Sequence, residues 1–246
     1  MRILITNDDG VGAKELAPLI KWCRKLGEVT AFVPKYEQSG KSHSFEIKKP
    51  FEVKEVELEP GVKVWTVDSS PADCVRVAVL GFKEKFDLVI SGVNRGFNLG
   101  SDTMYSGTVG AASEAVNQGF KAIALSTPFD YYDTVGATAH LDQVFGFIQK
   151  HGLLEKHNFY NINIPENPKG IRVTRQGGPY YTDDYIPVGH DDLYQPTGVP
   201  VWVPHDEDTL DADAVIHGYI SITPMTIDKT HRKAFEELVG FSEPQR

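Results

Sequence analysis

The feature that most constrains this chain is a rhythm. Through the first two thirds, short β-rich runs alternate with stretches whose apolar residues recur at helical spacing. A parallel sheet covered by helices on both faces reads in this way, because each crossover between parallel strands carries a helix back over the sheet. Arg2–Thr6 is followed by "GAKELAPLIKWCRKLG", where Leu16, Leu19, Ile20, Cys23 and Leu26 share one helical face and Gly27 supplies a stop. The strand "VTAFVP" comes next, then the extended run "VKVWTV" and the helix "SSPADCVRVAVLGF". That helix opens with Ser70 as N-cap, Pro71 at its first position and Asp73 completing a capping box. "FDLVIS" is almost wholly apolar, as a strand buried on both faces should be.

A third cycle pairs the small-residue helix "SGTVGAASEAVNQG" with the strand "KAIALS". "TVGATAHLDQVFGFIQKHG" reads as a further helix with Val144, Phe145 and Ile148 as its buried face, and "FYNINIP" as a further strand. The charged, loosely alternating "FEIKKPFEVKEVELE" reads as an exposed edge strand or hairpin. From Gly177 the composition turns rich in Gly, Pro, Tyr and Asp and poor in helical periodicity, which predicts a β-hairpin-like arm. "VIHGYISITP" then reads as a strand and "DKTHRKAFEELVG" as a terminal helix capped by Asp228. The expected architecture is a three-layer α/β sandwich over residues 1–176, with residues 177–246 forming a smaller C-terminal β-rich arm, strand and helix that serve oligomerisation and can complete the main domain.

At 246 residues and a formal net charge of −9, the chain lacks the surplus of Lys and Arg that a duplex nucleic-acid binder needs. An anionic small substrate stays compatible with it, since a bound metal can make one site locally positive. The two cysteines, Cys23 and Cys74, indicate neither a disulfide framework nor zinc. No signal peptide and no apolar run long enough to cross a bilayer is visible, and the expected location is the cytoplasm.

In an open α/β sheet ligands bind beyond the carboxyl ends of the strands. After the first strand stand Asn7, Asp8, Asp9 and Gly10; after the second, Gln38, Ser39, Gly40 and His43; after "FDLVIS", the run "GVNRGFNLGSDTMYSGT". Asp8 and Asp9 repel each other unless something positive lies between them, and Gly10 permits the turn that brings both to one point. With Asn94 and Ser39 they would make an all-oxygen site, suited to Mg²⁺ or Mn²⁺ before Zn²⁺. A helix cap is the plainer role for either acid alone. Ser106, Gly107 and Thr108 open the small-residue helix, where free N–H groups and the helix dipole receive phosphate; an ordinary N-cap serves equally well for that segment in isolation. His43 could carry a proton, although a lone His is more often a hydrogen-bonding partner.

Taken together, "ITNDDG", "SGVNRGFNLGSD" and "YSGTVGAASEA" resemble the SurE family, the stationary-phase survival proteins, and "PADCVRVA", "NINIP", "VTRQG" and "GYISITPM" follow in the expected order. The resemblance implies a Rossmann-like domain and a metal-dependent phosphomonoesterase acting on nucleoside 5′- and 3′-monophosphates, in some members also on short polyphosphate. It implies one divalent cation per subunit held at Asp8, Asp9, Ser39 and Asn94, phosphate contacts at Asn98, Ser106, Gly107 and Thr108, and a homodimer or homotetramer. Asp8 and Asp9 are the catalytic candidates. A receiver-like signalling module that binds Mg²⁺ without turnover is the alternative, but such modules are about half this length.

Overall fold

The computed structural model describes residues 1–129, 138–189, 192–201, 205, 207 and 209–241. Nine of its strands form one sheet: β1 (Arg2–Thr6), β2 (Glu28–Pro34), β3 (Val53–Val56), β4 (Lys63–Val67), β5 (Leu88–Arg95), β6 (Ala122–Thr127), β7 (Phe159–Asn163), β8 (Gly170–Val173) and β11 (Tyr219–Pro224). The order across the sheet is β3-β4-β2-β1-β5-β6-β7-β11-β8. The central run from β4 to β7 is parallel throughout, while β3 on β4 and β11 on β7 are antiparallel. The charged 45–59 stretch thus yields β3, an edge strand, as its alternation predicts.

Strand β1 shows why the sheet needs cover on both sides. Ile3 and Ile5 belong to one buried cluster and Leu4 to the other, as the two-residue period of a strand dictates. The first cluster takes its helical share from α1 (Leu16–Cys23) and α4 (Leu141–His151), the second from α2 (Pro71–Arg76) and α3 (Gly107–Asn117). Each fully buried Ile or Leu contributes about 1.5–3 kcal/mol, so loss of either helical layer would be severe. On α3, Ala111, Ala112 and Ala115 bring the helix axis close to the sheet. Among the described residues no helix is long and apolar enough to cross a membrane.

Several local expectations hold and others are corrected. Ser70 caps α2 by accepting the Asp73 N–H at 3.1 Å, but the Asp73 carboxylate answers with the Ser69 and Ser70 hydroxyls and the Glu46 N–H. Val144 and Ile148 are buried on α4, Phe145 is partly buried against the same cluster, and the short helix α5 (Leu153–Lys156) follows. The predicted start of that helix at 134–137 lies outside the described residues. The arm is a hairpin of β9 (Tyr181–Pro187) and β10 (Tyr194–Pro200), paired antiparallel. After it comes a short helix, α6 (Asp211–Ile216), that the sequence reading does not anticipate. The terminal helix α7 (Arg232–Leu238) is capped by His231, whose Nδ1 accepts the Ala234 N–H at 3.0 Å. Asp228 lies too early to cap it and instead takes the Thr230 N–H and the Arg232 guanidinium.

Candidate active site

The chain runs from β1 outward through β2 to β4, then returns to place β5 on the other side of β1. The strand order therefore reverses between β1 and β5, and a crevice opens beyond their carboxyl ends at such a point. Asp8 and Asp9 follow β1, and Asn94 stands at the end of β5. A register shift between Ser91 and Asn94 re-aims the end of β5 against β6. Gly92 sits there at φ +130°, where an added Cβ would lie 2.3 Å from the Leu125 carbonyl oxygen, so no other residue fits.

A cavity of about 320 Å³ occupies the crevice. Asp8, Ser39, Asn94, Asn98 and Ser106, five of the eight candidate residues, line it. The other three stand against them. The Thr108 hydroxyl and backbone N–H both engage the Asp8 carboxyl. Gly107 lies so close that an added Cβ would meet Asp8 Cβ at 2.9 Å and its Oδ2 at 3.1 Å. The Arg95 backbone N–H reaches Asp9 Oδ2 at 3.4 Å. Ser106 caps α3 by accepting the Val109 N–H at 3.2 Å. Asn98 is pinned to two strand tips, through Ser126 on β6 and through Asn161 and Asn163 on β7, which is the structural use of "NINIP".

The electrostatics of the acidic pair suit a cation. Burial raises the Asp8 pKa, and burial together with the Asp8 charge pushes Asp9 up to about 7. The charges acting most strongly on Asp9, those of Asp8, Glu15 and Glu37, are all negative. Two adjacent carboxyls, an amide and a hydroxyl make a hard oxygen set that fits Mg²⁺ or Mn²⁺. Glu37 is a residue the sequence reading misses. Its Oε1 accepts the Ser39 hydroxyl at 2.8 Å, which turns the Ser39 lone pairs away from Glu37.

The loop carrying Ser39 is clasped to α3. Ser42 N–H bonds the Tyr105 carbonyl at 3.0 Å, and the Ser70 hydroxyl bonds the Ser44 carbonyl at 2.6 Å. His43 Nε2 lies 2.7 Å from Glu114 Oε2, while Arg76 and Gln118 donate to Glu114 Oε1. His43 is thus a hydrogen-bonding partner of Glu114 rather than part of the cavity wall. Burial alone would push Glu114 up, but its bonds to His43, Gln118 and Arg76 outweigh that and hold its carboxyl below the ordinary glutamate range. A lowered folded pKa means stability that is complete above the unfolded value and lost as pH falls through the folded one. The thermal midpoint should therefore drop on acidification below about pH 4, and Glu114→Gln should flatten that part of the profile in melts followed by circular dichroism. An unchanged acid limb in the variant would remove Glu114 from it.

Comparison with known proteins agrees with this fold. The family model described as survival protein SurE matches residues 3–183. The protein named 5′-nucleotidase SurE of Legionella pneumophila subsp. pneumophila is 37% identical, over 97% of this chain and 96% of its own. Its namesake from Syntrophomonas wolfei subsp. wolfei is 38% identical over 96% of each. The crystal structure of the SurE protein from Aquifex aeolicus superposes with a TM-score of 0.80 at 30% identity, covering 98% of this chain and 99% of that one. On the matched length, the shared fold and the identity over nearly the whole sequence, this chain belongs to the SurE family.

Proposed function

We propose that this protein is a metal-dependent phosphomonoesterase that releases phosphate from nucleoside 5′-monophosphates and, at the same oxygen-lined pole, from 3′-monophosphates. The observation that carries the reading is the meeting of Asp8, Ser39, Asn94, Asn98 and Ser106 in one cavity at the point of strand-order reversal. Relatives at 37–38% identity are named 5′-nucleotidases, which supports the same chemistry here. Asp8, Asp9, Ser39 and Asn94 would hold one Mg²⁺ or Mn²⁺. When bound, that ion supplies Lewis-acid polarisation of a phosphoryl oxygen and neutralises developing charge.

The chain's own groups do the rest. The Thr108 hydroxyl donates to Asp8 Oδ1 and orients the carboxyl, which would act as nucleophile or accept the proton of an attacking water. The start of α3, at the positive end of its dipole, favours the anionic phosphoryl group, and Asn98 is rigid enough to orient it. Phosphate release from adenosine 5′-monophosphate should vanish in excess EDTA and return with Mn²⁺ or Mg²⁺. Full turnover in chelator would overturn the metal assignment.

The hairpin of β9 and β10 supports the reading of residues 177–246 as an assembly element. A two-stranded ribbon is marginal by itself, and this one exposes Tyr185, Tyr194 and Val199. A homodimer or homotetramer that gives way to monomers when 182–199 is replaced by a short turn is the expected result in light scattering.

A further inference from the structure

The phosphoryl pole explains how a phosphate ester is held and says nothing of why the rest of the substrate should be a nucleoside. The same cavity is also lined by residues of different chemistry, Phe97, Tyr105, Tyr181 and Asp183, together with Arg95 and Asp102. Tyr181 and Asp183 are two residues apart on β9, so both side chains project from one face of the strand. The arm therefore enters the catalytic cavity of its own chain at its root.

That root is firmly placed. Asp102 Oδ2 accepts the backbone N–H groups of both Tyr180 and Tyr181 at 2.8 Å. Asp102 lies in the helical turn Gly100–Tyr105, which leads directly into Ser106 and α3. In the same turn Gly100 (φ +55°) meets the hairpin root backbone to backbone, where an added Cβ would lie 1.8 Å from the Gly178 carbonyl oxygen. Asp211 ties the two together again, accepting the Gly100 N–H at 2.8 Å and the Gly177 N–H at 2.9 Å. The Tyr181 ring is braced edge-on by Tyr180 at 5.2 Å. Segment 100–106 thus links the position of the aromatic wall to the start of α3.

From this arrangement we infer that Tyr181 and Asp183 form the nucleoside-recognition wall: the Tyr181 ring offers a face to the base and the Asp183 carboxylate accepts the ribose hydroxyls. The inference rests on the phosphomonoesterase reading and deepens it. A base has a π-face whatever its identity, so the wall selects nucleosides as a class with little preference among bases. An acid beside the sugar repels a further phosphate, so monophosphates are taken in preference to nucleoside 3′,5′-bisphosphates.

Adenosine 5′-monophosphate and ribose 5-phosphate, which lacks the base, separate the two poles. Tyr181→Ala should lower kcat/KM for the nucleotide by about 10–100-fold, the cost of one lost base–aromatic stack. It should leave ribose 5-phosphate within about 3-fold of the parent, and Tyr181→Phe should retain nucleotide turnover because the ring remains. Asp183→Asn should narrow the preference for the monophosphate over the 3′,5′-bisphosphate. Calorimetry with adenosine alone should show binding to the parent and none to Tyr181→Ala. Equal losses on both esters, or no loss on the nucleotide, would overturn the wall. A parent that releases phosphate from neither ester would overturn the phosphomonoesterase reading itself.

Discussion

Asp8→Asn is expected to cut turnover of adenosine 5′-monophosphate by at least about 10³-fold while leaving the metal-free fold as stable as the parent or more so. The two halves have one cause. Asp8 is 4% exposed, and burial raises its pKa above the ordinary value. A carboxyl whose folded pKa is raised favours folding only while protonated, and that advantage is lost as pH rises from about 4 through the folded value. At neutral pH, well above the unfolded value, the buried carboxyl therefore opposes folding, and an amide of the same shape removes the penalty. Excess Mn²⁺ should reverse the order of the melting temperatures, because the parent gains binding energy that the variant lacks. Assays and melts in EDTA and then in Mn²⁺ read both effects. Parent-like turnover would take Asp8 out of the reaction.

Gly110→Ala should damage the site through a single methyl group. Helix propensity favours the substitution by about 0.8–1 kcal/mol, since Gly110 lies inside α3. Packing opposes it more strongly. The new Cβ would stand 2.2 Å from the Ser42 carbonyl oxygen, 2.7 Å from its carbon and 3.0 Å from His43 Cα. All three are backbone atoms, so no rotamer change relieves the clash, and overpacking of this kind costs about 1–3 kcal/mol or more. The loop must move off the helix and carry Ser39 with it, three residues away. Expected are net destabilisation and roughly 10–100-fold weaker metal binding, the usual cost of disturbing the groups behind a ligand. Thermal melts and a Mn²⁺ titration of activity would register them. A stabilised, fully active variant would show that the loop does not depend on α3.

The strands and the acidic pair were the legible part of this chain. β1, β2, β5 and β6 are buried on both faces and read as apolar runs, and Asp8 and Asp9 announce themselves by interrupting one. β8 escapes because its four half-buried or exposed residues include Arg172 and carry no clear period. Helix α6 escapes because Asp211 and Asp213, which periodicity assigns to solvent, face inward to accept backbone N–H groups of Gly100, Gly177, His205 and Glu207. Glu114 and Tyr181 escaped the sequence reading for a different reason. Their partners lie 71 to 79 positions away, as in His43 to Glu114 and Asp102 to Tyr181, and a single sequence holds no local mark of such pairings.

The position of β11 bears on how this protein is made. Among the described residues β11 is the last strand in the sequence, yet it sits between β7 and β8. A chain leaving the ribosome from its N-terminus holds β7 with an open edge, and β8 without a neighbour, until residues 219–224 emerge. An unpaired edge of that kind is a template for adhesion to other nascent chains. Translation halted before Tyr219 thus yields a sticky fragment instead of a smaller working protein, because the β7 edge is covered only once residues 219–224 are in place.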